Sequence, residues 1–161
     1  MITFTVLGVP APQGSHTAVN RGDRAIVIEG GSKVGREKHK AWREAVAWAA
    51  REHAPSEPLD GALKVAVAFR MPMPASRPAA SRQMGYGWHS VKPDLDKLVR
   101  STLDGIADGG VIVGDSRVAG IQASALEVVG WTGALIQVTA LGLTDATAAH
   151  GHALEIVEAL A

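Results

Sequence analysis

Two aspartates, Asp94 and Asp96, stand one residue apart directly after Pro93, and a third, Asp115, follows an apolar stretch. Arg100 lies four residues beyond Asp96. Carboxylates brought close together repel one another and raise one another's pKa, and a hard divalent cation relieves that strain. Oxygen-only ligands suit Mg²⁺ or Mn²⁺ rather than zinc. Such an ion can activate a water, polarise a phosphoryl oxygen and stabilise a leaving oxygen. At i+4 from Asp96, Arg100 can reach the same spot. A guanidinium keeps its proton, so its role there is to hold phosphate and stabilise transition-state charge. The chemistry indicated is hydrolysis of a phosphodiester, with Asp94, Asp96, Asp115 and Arg100 as the catalytic group and the three acids as metal ligands.

Those side chains need an element that lets them meet. Two positions apart in mid-helix means about 200° of rotation, which puts two carboxylates on different faces. Pro93 biases Lys92 toward an extended conformation, which makes Asp94 an N-cap. A cap residue is not helical, so its side chain can turn toward Asp96 in the first turn, near the positive end of the helix dipole. The helix runs from about Asp94 to Ala107 with Leu95, Leu98, Val99, Thr102, Leu103 and Ile106 on its apolar side, and Gly109-Gly110 stops it. A short strand at Val111–Val113, paired beside the strand that enters the helix, would bring Asp115 to the same sheet edge. The simpler reading of the DLD motif is a cap plus a dipole-favoured acid. A Ca²⁺ loop of the EF-hand type is excluded, because the required glycine and distal glutamate do not follow.

Alternation marks Ile2–Gly8 as a strand. The prolines and glycine of 10–14 open a polar loop, and Ala25–Ile28 reads as a second strand closed by Gly30-Gly31. Ser32 can cap a helix reaching about His53, with Trp42, Ala45, Val46 and Ala49 as its apolar stripe. Leu63–Phe69 alternates as a third strand. The long loop that follows, with its prolines and arginines, ends at the DLD motif. Val118–Val129 and Ala134–Leu141 read as a hairpin around Gly130–Gly133. The order β-β-α-β-α-β-β, with a short C-terminal helix, predicts an α+β fold with a mixed β-sheet carrying two main helices on one face. Residues 1–143 form the main domain, and 144–161 a C-terminal linker and short helix.

The 161 residues suffice for one core, and 47% of them are apolar. There is no cysteine, which suits a reducing cytoplasm. The first strand has no basic flank and does not read as a signal peptide. Net charge is zero, but residues 118–161 contain four acids and no Lys or Arg. Residues 1–117 therefore carry an excess of four positive charges. Arg77, Arg82, His89, Lys92, Lys97 and Arg117 lie on the long loop or beside the acids and are the candidate phosphate contacts. Tyr86 and Trp88 either stack on unpaired bases or pin the loop to the core. Trp48 lies at the edge of the first helix's stripe, where it suits a dimer interface. Asp104 and Asp108 read as solvent-facing acids, and Glu127 as an ordinary strand residue.

The segments KPDLDKL, TLDGI and GDSRV, with their spacing, resemble the RusA-like Holliday-junction resolvases. The N-terminal G-x-P-x-PQGS stretch and KHKAWREAV extend the likeness over roughly residues 2–140. The resemblance implies a Mg²⁺-dependent homodimer that resolves four-way DNA junctions by paired nicks, in recombination and repair, in the cytoplasm of a bacterium or a phage-infected host cell. By motif match Asp94, Asp96 and Asp115 take the acidic metal-binding positions. Arg100 falls where the family often has a catalytic lysine, Gly114 replaces the first of two aspartates, and Lys97 stands where asparagine is common. Two alternatives follow from the residues: another Mg²⁺-dependent phosphodiesterase acting on nucleotides or RNA, and a non-catalytic DNA-binding module.

Overall fold

The computed structural model describes the backbone of residues 1–14, 16–21, 24–29 and 32–160, and the side chains of 1–14 and 32–151. Ser15, Gly30 and Gly31, which the sequence singled out in loops, lie outside the described residues. The core is a five-stranded mixed sheet with order β1-β7-β4-β6-β5. Its strands are β1 (Ile2–Leu7), β4 (Leu63–Pro72), β5 (Tyr86–Trp88), β6 (Val118–Val128) and β7 (Gly133–Ala140). A separate hairpin pairs β2 (His16–Arg21) with β3 (Arg24–Glu29). The helices are α1 (Lys33–Arg51), α2 (Ala79–Met84), α3 (Leu95–Asp108) and α4 (Leu143–Leu160). The fold is α+β.

Strand β4 is central because alternate side chains, Leu63, Val65, Val67, Phe69 and Met71, are all buried. It pairs parallel with β6 and antiparallel with β7. The buried side chains of β1 (Phe4, Val6) and β7 (Ala134, Ile136, Val138) continue the same core. Helices α1 and α3 contribute Trp42, Val46 and Ala50, and Leu98, Val99, Leu103 and Ile106, to it. Ser32 caps α1, its Oγ accepting from the Gly35 N–H at 3.1 Å, so the turn begins with a satisfied donor.

The two helices meet closely. A Cβ on Gly105 would lie 2.7 Å from Val46 Cβ, and one on Gly109 would lie 2.4 Å from Ala50 Cβ. Trp42 Nε1 donates to Thr102 Oγ1 at 3.1 Å across the same crossing. Arg43 of α1 closes it at the surface with a two-pronged grip on Asp108, at 2.5 and 2.9 Å, and reaches Asp104 at 3.5 Å. Asp104 and Asp108, read from sequence as solvent acids, thus lock the helix pair.

Five expected elements differ. Strands β6 and β7 are not a hairpin: β4 lies between them, and the link through Gly130–Gly133 passes over its end. Gly133 permits this, since its φ is +151° and a Cβ there would strike the Val6 carbonyl. Val111–Val113 is not a sheet strand; Ile112 makes only an isolated bridge to Leu59, because Val111 and Ile112 are drawn into the core. The polar loop after Pro10 contains β2, the long loop before the DLD motif contains α2 and β5, and the tail turns helical at Leu143.

Candidate functional site

Strand β5 pairs antiparallel with the last residues of β6, Trp88 opposite Leu126. The chain then runs through a short segment with a cis Lys92–Pro93 peptide into α3. Helix α3 therefore starts at the end of the sheet where β4 and β6 finish, and returns the chain toward the start of β6. Asp94 is its N-cap, extended at φ −68° and ψ 140°, as the sequence predicted. Its carboxylate makes no capping hydrogen bond and instead lies 3.1 Å from Lys97 Nζ. Asp96 is exposed in the first turn. Arg100, a turn further along, is also exposed.

Asp115 opens a single 3₁₀ turn, Asp115–Arg117, that leads into β6. Its charge helps to raise the pKa of Asp104, two turns beyond Asp96 along the helix. The structure thus places Asp94 and Asp96 at the N-terminus of α3, as its cap and in its first turn. Asp115 lies alongside the later turns. Among the described residues no three His, Asp or Glu side chains group as ligands of one ion. The donors are the oxygens a hard cation takes, but their arrangement in the chain does not fit an ion held by all three.

A groove of about 900 Å³ opens beside Asp94. The 8–14 segment, the first half of α1, the end of β4 and the stretch from His89 to Lys97 form its walls. The Gln13 N–H donates to the Lys97 carbonyl at 3.2 Å, tying the first wall to α3. Arg36, Lys38, Lys92 and Lys97 line the groove, against Asp94 as the one lining carboxylate among the described residues. The floor is apolar, with Trp42 and Met71. Such a channel suits a polyanion with apolar edges.

The candidate phosphate contacts are unevenly placed. Lys92 and Lys97 line the groove, and Arg82 is exposed on α2. Arg117 pairs with Asp60 at 2.6 Å on the surface, a link that phosphate can replace at little cost. Arg77 is engaged by Glu127, and the His89 side chain is almost wholly buried within the groove wall. Tyr86 and Trp88 are 57% and 73% exposed, so they do not pin the loop to the core.

Sequence reading missed Glu127. It occupies a core-facing position of β6 and is 1% exposed. The signal was available: an acid in step with Ala125 on the inward face of a strand must find a cation. It finds Arg77, which contributes most to holding the Glu127 carboxyl below the usual glutamate range.

The family model for endodeoxyribonuclease RusA matches residues 9–139. The chain belongs to the RusA family. That match covers the groove, α3 and the Asp115 turn, and membership makes the protein a DNA-cleaving hydrolase of the Holliday-junction-resolving type, acting on branched DNA. RusA resolvases are generally metal-dependent. No curated protein matches the chain. Among the described residues of this RusA-family chain, no helix is long and apolar enough to cross a membrane.

Proposed function

We propose that this chain resolves four-way DNA junctions by paired nicks, as a homodimer with Mg²⁺ or Mn²⁺ as cofactor, in a bacterial or phage-infected cytoplasm. The observation that carries this reading is the basic groove that opens at Asp94. It offers four Lys and Arg side chains to a phosphate chain and delivers that chain to the helix end where Asp94 and Asp96 are exposed. Arg100 supplies a fixed positive charge one turn away. Asp115 stands further along the helix as the third acid. The exposed rings of Tyr86 and Trp88 on β5 suit stacking on bases that a junction leaves unpaired. A two-fold dimer offers matched sites for two matched incisions. Trp48, 65% exposed on α1, is the candidate dimer contact.

A labelled four-way junction incubated with and without Mg²⁺ tests the reading, with duplex, single-stranded DNA and RNA as competing substrates. Paired nicks on the junction alone support it. Asp94→Asn is expected to lower cleavage by at least ~100-fold while junction binding survives; undiminished nicking removes Asp94 from the site.

Titration with Mg²⁺ and Mn²⁺ tests the cofactor: cleavage that rises with either ion supports it, and cleavage undiminished in chelator removes it.

A further inference from the structure

Three side chains from three segments meet at the groove wall. Glu127 projects from the buried face of β6, level with Met71 of β4. Arg77, from the loop after β4, donates Nε and Nη2 to it at 2.5 and 2.7 Å. His89, the first residue after β5, places Nδ1 3.3 Å from Glu127 Oε1. An ionised carboxylate only accepts hydrogen bonds, so Nδ1 carries a proton. In the neutral ring the lone pair then sits on Nε2, on the side away from Glu127. That atom is buried and has no hydrogen-bond partner among the described residues. The ring is 7% exposed and forms part of the groove wall with Lys92, Asp94 and Lys97.

We propose that His89 is the proton acceptor of the cleavage reaction, with Glu127 and Arg77 as the residues that position it. The proposal rests on the nuclease reading above. Hydrolysis of a phosphodiester needs a group that takes a proton from water near neutral pH. An ammonium or guanidinium group carries no free lone pair for a proton, and Asp94, the groove's one carboxylate among the described residues, is a candidate ion ligand. Arg100 cannot exchange its proton. Among the described groove residues His89 alone is an imidazole, and its Nε2 lone pair can accept a proton. Nε2 accepts a proton from a water that enters with the DNA strand, while the water oxygen bonds to phosphorus. The bond from phosphorus to the leaving sugar oxygen breaks, that oxygen takes a proton from solvent, and the imidazolium later returns its own proton to solvent. Glu127 stabilises the imidazolium from behind. Glu127 of β6 contacts the ring and Arg77 of the β4–α2 loop holds Glu127, while the charged residues that line the same groove are Lys92 and Asp94 before α3, Lys97 on α3, and Arg36 and Lys38 on α1.

Single-turnover cleavage of a four-way junction, measured across pH beside junction affinity, tests this. His89→Gln is expected to cut ~100-fold more slowly, with unchanged affinity and no acidic limb in its rate profile; His89→Asn serves where that variant does not fold. Glu127→Gln is expected to move the acidic limb to lower pH, because an imidazolium without the carboxylate is less stable. Nitrogen NMR of the intact protein gives a reading apart from activity: the neutral ring should carry its proton on Nδ1, and less strongly so in Glu127→Gln. The proposal is overturned if His89→Gln cuts at the wild-type rate, if it loses binding and cutting in step, or if the proton sits on Nε2. Wild-type protein that cuts no junction with any divalent cation defeats the nuclease reading itself; an active wild type with an unaffected His89→Gln defeats this proposal alone.

Discussion

Arg43 treats its two acids differently. Its hydrogen bonds to Asp108 are the main cause of that carboxyl's lowered pKa. Asp104 lies deeper, and burial raises its pKa, with Arg43 opposing and Asp115 adding to the rise. The signs for stability follow. A carboxyl lowered in the fold stabilises above its ordinary 3.8 and loses that contribution as pH falls. A raised carboxyl does the reverse, since its ionisation costs stability as pH rises through and beyond 3.8. At pH 7, Asp108→Asn should therefore lower the melting temperature and Asp104→Asn should raise it slightly. Both differences should fade near pH 3, and thermal melts at the two pH values check this. The local geometry of the candidate acids was legible, since a proline-preceded DxD has few conformations and Asp94 does cap α3. Asp104 and Glu127 were not, because their partners, Arg43 and Arg77, lie 61 and 50 positions away in the chain and only packing joins them.

At the scale of elements, the α1–α3 crossing sets where the helix that carries the candidate acids lies. Gly105 and Gly109 let the helix backbones approach, and a methyl on Gly109 would meet Ala50 Cβ and the Ala47 carbonyl at 2.4 and 2.7 Å. Alanine has the better intrinsic helix propensity, yet overpacking costs about 1–3 kcal/mol and forces α3 away from α1. Gly109→Ala should therefore lower the melting temperature and weaken cleavage more than junction binding, read by calorimetry and by single-turnover rates. Helices α1 and α3 were legible because their apolar stripes are long and their starts carry capping residues. Strand β5 was not, since three residues are too few for a period. Val111–Val113 misled because a short apolar run looks the same whether it pairs in a sheet or plugs a core.

At the scale of the molecule, zero net charge hides a division. The basic excess lies before residue 118, and part of it lines the groove. Junction affinity should thus fall steeply with salt despite a neutral chain. Lys92→Ala should reduce the slope of log K against log salt by about 0.9, measured by fluorescence anisotropy. The α+β class and two helices on one sheet face were legible from element order. The strand order was not, because no local signal tells β7 to pair with β1 and β4 rather than with β6. That insertion has a consequence for biosynthesis. β1 leaves the ribosome first, yet its sole partner in the sheet, β7, is nearly the last element made. The nascent chain must hold an unmatched apolar strand through most of its translation, and any message cut short before Gly133 yields a polypeptide that cannot close its sheet.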